Sequence, residues 1–200
     1  KFQLRNDDFQ LLFRSSEKKK QSYLRHKIYS NDSLIAYIEA SNGNSLMTLY
    51  TTQLKDPRDD RKGEMLFVRS IKDTSSSSLT AIIPINNQIN YPISERLTLK
   101  RIFIHSLSLK VSDPEYLKSF VVLGSSSINE KLIAKADLSD QGLSERLLSS
   151  KHNFVLINKA DKCPVMFFYK IDQNIYQIQI RAPLDPLYAF ALAIAKIKSR

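Results

Sequence analysis

The chain closes on Pro183-Leu-Asp-Pro-Leu-Tyr-Ala-Phe-Ala-Leu-Ala-Ile-Ala-Lys-Ile197, and this stretch decides the fold. Asp185 can cap a helix N-terminus with its carboxylate, and Pro186 suits the first helical position because its missing N–H would have no partner there. Lys196, Lys198 and Arg200 complement the negative end of the helix dipole. A helix is therefore predicted over about residues 186–198. Apart from the Tyr188 hydroxyl, residues 187–195 are apolar all round, whereas a surface helix keeps a polar face, so other protein must enclose this one. The run falls short of the roughly 20 residues needed to span a bilayer, and the chain is expected to be soluble or peripheral.

Upstream of the helix, short segments rich in Ile, Val, Leu, Phe, Tyr and Thr alternate with polar breaks. Twelve strands are predicted, over residues 9–14, 23–29, 34–39, 46–51, 65–71, 79–85, 97–104, 119–123, 132–136, 154–157, 165–170 and 175–181. Asn42-Gly43-Asn44 signals a turn, and residues 53–63, 73–78 and 125–130 read as loops. The economical way to surround one short apolar helix with strands is to close the sheet around it. The expected fold is mainly β: a closed antiparallel β-barrel of about twelve strands around a central hydrophobic C-terminal α-helix. Residues 1–200 then form a single domain, a size at which a core can fold without disulfides or metals.

Composition narrows function from another side. Thirty basic residues against 20 acidic ones give a formal charge of +10, which attracts polyanions such as nucleic acids or an anionic membrane face. The single cysteine, Cys163, excludes an internal disulfide framework and fits a reducing compartment. No N-terminal stretch combines a basic start, an apolar run and a small-residue cleavage site.

Signals for catalysis are weak. Gly63, Gly124 and Gly142 are isolated, leaving no phosphate-cradling loop, and His26, His105 and His152 lack metal-ligand spacing. Cys163 has no visible base, and Asp7-Asp8 and Asp59-Asp60 are adjacent pairs that cannot share one strand face. No catalytic residue, metal ligand or cofactor is expected.

The closing stretch from Tyr176 to Ala195 resembles the end of the tubby C-terminal domain, where a strand, a Tyr-Pro-Leu step and a Gln-Ala-Phe-Ala-Ile-Ala-Leu helix finish the chain. His152-Asn153-Phe154 followed by Val165-Met166-Phe167-Phe168 is similar to the family's penultimate strands. Phe9-Gln-Leu-Leu-Phe-Arg-Ser-Ser-Glu-Lys-Lys-Lys-Gln-Ser-Tyr-Leu24 resembles its Phe-Leu-Leu stretch, basic run and Ser-Asn-Tyr-Leu, and Leu79 to Pro84 its Met-Ser-Val-Ile-Val-Pro strand. These fragments keep the family's order, while residues 89–150 match only in length and strand content. The family's terminal Ser-Phe-Asp-Ser-Lys-Leu-Ala-Cys-Glu is absent, as is tryptophan.

The resemblance implies a twelve-stranded barrel around a helix, and a non-enzymatic adaptor or trafficking module that binds phosphatidylinositol bisphosphate at the cytoplasmic membrane face. Arg14, Lys18, Lys19 and Lys20 fall in the corresponding basic segment, with Arg25 and Lys27 on the next strand. Converging Arg and Lys donors are what adjacent phosphates require. Tyr37-Ile38-Glu39 stands where the family has Lys-Leu-Arg, so Glu39 brings a carboxylate where the family has a phosphate-binding arginine. The alternatives are a barrel scaffold for protein–protein interaction that has lost lipid binding, and a nucleic-acid-associated, transcription-linked protein. Expected partners are thus the bisphosphate or an anionic surface, a protein cargo, or nucleic acid. The expected location is cytoplasmic and peripheral at the plasma membrane, with the nucleus left open.

Overall fold

A computed structural model of the chain describes residues 1–8, 10–19, 24–41, 45–52, 63–72, 77–84, 98–108, 120–136 and 147–199. The strands are β1 (Phe2–Arg5), β2 (Leu11–Lys19), β3 (Leu24–Ser30), β4 (Ser33–Ser41), β5 (Leu46–Thr51), β6 (Glu64–Lys72), β7 (Ser77–Pro84), β8 (Phe120–Ser126), β9 (Phe154–Asn158), β10 (Pro164–Asp172) and β11 (Ile175–Ile180). They form one antiparallel sheet in which spatial order follows chain order. The helices among the described residues are α1 (Leu99–Ser108), α2 (Glu130–Lys135) and α3 (Pro186–Lys198). Expected loop residues 42–44, 53–62, 73–76 and the site candidate Lys20 lie outside the described residues.

Strand alternation sorts the side chains into two faces. Ile28, Ala36, Ile38, Met47, Leu49, Leu66, Val68, Leu79, Ala81, Leu123, Leu156, Met166 and Phe168 point inward and join one cluster with the whole buried length of α3. That helix is touched from both ends of the strand order. The Phe13 ring of β2 stacks on Phe190, and Lys198 reaches Glu17 of β2 and the Phe2 ring of β1. Lys196 lies over Phe154 of β9, and Ile178 and Ile180 of β11 join the same cluster. Because α3 is buried on every side from Tyr188 to Lys196, the sheet must curl around it. The curl is an open ladder, since no pairing joins β1 to β11 among the described residues.

The helix begins as its residues dictate. Asp185 is the N-cap and accepts a hydrogen bond from the Tyr188 amide at 2.9 Å, and Pro186 takes the first turn. We expect Asp185→Ala to cost about 1 kcal/mol of stability in urea unfolding, the usual loss when an N-cap acceptor is removed. An unchanged midpoint would mean the buried helix needs no cap.

Three expectations are corrected. Among the described residues the sheet has eleven strands, where about twelve are expected. Of the stretches expected as strands over 97–104 and 132–136, residues 99–104 belong to α1 and 132–135 to α2, and residue 97 lies outside the described residues. Among the described side chains of α1 the buried ones are Leu99, Ile102 and Phe103, a spacing of three and four that makes a helical stripe. The Thr98 hydroxyl accepts from the Arg101 amide, and Glu64 of β6 reaches over to accept from the Leu99 amide at 2.7 Å. Helix α2 is capped by Asn129, whose side chain accepts from the Leu132 amide at 3.0 Å, inside a stretch read as loop. The strand β1 lies before the first predicted strand.

Both helices cover the outside of the sheet. Leu99, Ile102 and Phe103 pack on Phe67, Ile82 and Phe120 of β6 to β8, and Leu132 and Ile133 pack on Val155, Phe167 and Tyr169 of β9 and β10. This is why β10 is buried at six successive residues from Pro164 to Tyr169: it is covered on both faces.

Candidate functional site

The outer face of β2 and β3 carries four basic side chains. In β2 the alternation puts Arg14, Ser16 and Lys18 outward and Phe13, Ser15 and Glu17 inward. In β3 the outward residues are Arg25, Lys27 and Tyr29, because His26 and Ile28 are buried. The ladder pairs Lys18 with Arg25, Ser16 with Lys27, and Arg14 with Tyr29. Lys18 and Lys27 are thus diagonal neighbours on one face, roughly 7–8 Å apart. Four of the six predicted residues therefore share this face: Arg14, Lys18, Arg25 and Lys27. Lys19 has the opposite parity, opposite Leu24 at the exposed end of the strand, and Lys20 lies outside the described residues.

The four cations are not equivalent. Arg14 makes an ion pair with Asp32 at 2.6 Å and lies 5.1 Å from the Tyr29 ring centre. Asp32 is held at the tip of the β3–β4 hairpin by a two-residue turn in which both Asn31 and Asp32 take positive φ, the geometry that matches the twist of paired strands. Arg25 donates from Nε to Glu39 Oε1 at 3.0 Å and from a terminal nitrogen to the same oxygen, and its guanidinium lies 4.6 Å from the Tyr37 ring centre. Tyr37 in turn stacks on Tyr50 of β5 at 5.0 Å, and burial pushes the Tyr50 hydroxyl well above the usual phenol range. Among the described residues the side chains of Lys18 and Lys27 have neither a hydrogen bond nor an ion pair.

Glu39 therefore faces this wall, directly opposite Arg25 on the neighbouring strand. The sequence places a carboxylate at that position but cannot say which side of β4 it occupies, because a shift of one residue reverses every side chain. Asp32 and the tyrosine rings under the arginines were missed in the sequence. The only signal for the turn was Asn31-Asp32 between two apolar runs.

The remaining candidates are dispersed. His26 is fully buried inside the curl with both ring nitrogens lacking a hydrogen-bond partner, and Glu17 Oε2 stands 3.9 Å away, too far for one. Burial lowers the His26 pKa to about 4, with Glu17 opposing the shift and Lys198 adding to it. His152 lies at the other side of the helix, its ring 6.2 Å from Tyr176. Cys163 is half-buried and free, its Sγ 3.8 Å from the Asp161 carbonyl. Among the described residues no three His, Cys, Asp or Glu side chains converge to hold a metal. No helix among them is long and apolar enough to cross a membrane.

No protein-family model matches the sequence, and no curated protein resembles it significantly.

Proposed function

We propose that this chain is a non-enzymatic adaptor or trafficking module that docks on phosphatidylinositol bisphosphate at the cytoplasmic membrane face through the outer wall of β2 and β3. In this reading the sheet is a tubby-like barrel wall whose seam lies between β1 and β11. The observation that carries the proposal is the placement of Arg14, Lys18, Arg25 and Lys27 on one sheet face away from the patches packed by α1 and α2, with two ammonium groups unpaired among the described residues. Less the charges of Asp32 and Glu39, the patch keeps two positive charges out of four, and these belong in effect to Lys18 and Lys27. The ordered sequence resemblance to the tubby C-terminal domain supports the choice of ligand.

The test is vesicle co-sedimentation with and without phosphatidylinositol bisphosphate at matched lipid charge. Each basic residue near an anionic leaflet contributes about 1 kcal/mol, so Lys18→Ala with Lys27→Ala should weaken binding roughly 30-fold. Head-group-selective binding that falls in this variant supports the reading. Equal binding to any equally charged vesicle, or none, removes it and leaves a scaffold for protein–protein interaction.

A further inference from the structure

Glu39 sits in the proposed wall where a ligand would need a donor. A guanidinium presents its donors along edges, and the edge formed by Nε and one terminal nitrogen is one of those that can hold a phosphate with two parallel bonds. In Arg25 this edge is taken: both nitrogens donate to the same oxygen of Glu39. The contact does not depend on a flexible loop. Arg25 and Glu39 are direct ladder partners in β3 and β4, and Tyr37 lies under the guanidinium 4.6 Å from its ring centre. The two side chains are only 29% and 31% exposed, so water and salt screen the pair less than an open surface contact.

The neighbouring arginine makes the contrast. Arg14 also pairs with a carboxylate and a tyrosine, but Asp32 is 88% exposed at a hairpin tip. A contact that open is readily exchanged for another anion. Of the four cations on the wall, two lysines are unpaired among the described residues, one arginine is loosely paired, and one is clamped.

We infer that Glu39 is a built-in competitor that occupies one anion-binding edge of Arg25, so that a phosphorylated head group is held by Lys18 and Lys27 while that edge of Arg25 is withheld. The inference rests on the proposed lipid reading and specifies how that site is regulated: loss or neutralisation of Glu39 recruits Arg25. A retained carboxylate also repels the bound phosphates across the ladder. The site therefore answers weakly to a head group until the clamp is released.

The experiment measures partition onto vesicles containing phosphatidylinositol bisphosphate, at matched lipid charge, for the whole chain and three variants. Glu39→Gln, which keeps the shape but loses the charge, should bind at least threefold more tightly. Glu39→Thr, which is too short to reach the guanidinium and suits a strand, should show the same rise. Arg25→Met combined with Glu39→Gln removes the released guanidinium without changing net charge and should lose the rise seen in Glu39→Gln alone. Thermal melts establish that each variant is folded, and either neutral variant alone suffices if the other is not. An unchanged or weaker affinity on neutralising Glu39 overturns the inference, and so does a charge-balanced double variant that keeps the rise, which would mean Arg25 is not what Glu39 withholds. If the unmodified chain binds selectively while the Glu39 variants match it, only the inference fails. If no variant binds, the lipid reading fails with it.

Discussion

Leu192→Ala should destabilise the protein by about 2–5 kcal/mol, a sizeable share of the 5–15 kcal/mol that holds a typical domain together. Leu192 is fully buried in the middle of α3, where the inner faces of the strands meet the helix. Removing its isobutyl group loses transfer free energy and leaves a cavity, because the sheet is held by ladder hydrogen bonds and cannot collapse onto the gap. Leu192→Asp should prevent folding, since an unpaired carboxylate at that depth has no partner. Urea unfolding of the alanine variant checks the first expectation. A loss below about 1 kcal/mol would mean the helix is not the centre of the core.

Acid should weaken the fold through His26. Its folded pKa is lowered to about 4 from the ordinary 6.5 by burial, so between those values the unfolded chain binds a proton that the folded chain refuses. Stability contributed by the neutral imidazole is complete above pH 6.5 and is lost as pH falls toward 4. The total is about 3 kcal/mol, at 1.36 kcal/mol per pH unit. The Glu17 carboxyl is held below its usual range by the hydrogen bond from Lys198, so its contribution is present above the ordinary 4.5 and lost as pH falls below it. His26→Leu should flatten the pH dependence between 4 and 6.5. It should also raise stability at neutral pH, because two buried ring nitrogens without partners are replaced by apolar surface. An unchanged slope in that variant would assign the acid sensitivity to other groups.

The two predictions depend on features of unequal visibility in the sequence. That α3 is a buried helix with Asp185 as its cap follows from residues 183–197, since no polar face exists for water. That His26 would be sealed without a partner does not follow, because whether an imidazole on an alternating strand is buried depends on what the far end of the chain brings over it. Lys198 and Phe2, both near His26, are separated from it by most of the chain and by one full strand respectively.

The basic wall divides in the same way. Arg14, Lys18, Arg25 and Lys27 are legible as a cluster because period-two alternation holds along β2 and β3. Their register, which sets Lys18 against Arg25 and Arg25 against Glu39, is legible only in the ladder. Residues 97–104 and 132–136 show the other limit. Short apolar runs fit a strand or a helix equally by pattern, and what decided them was the packing of Phe103 on Phe67 at 5.4 Å and of Leu132 on the β9–β10 face.

The sequence by itself determined that this protein is mainly β around one apolar C-terminal helix and that its charge is basic, because local periodicity, capping chemistry and composition are properties of neighbours along the chain. The tertiary structure alone decided which cations are clamped, which are unpaired, which histidine is sealed and where the sheet stays open, because those depend on contacts between residues far apart in sequence.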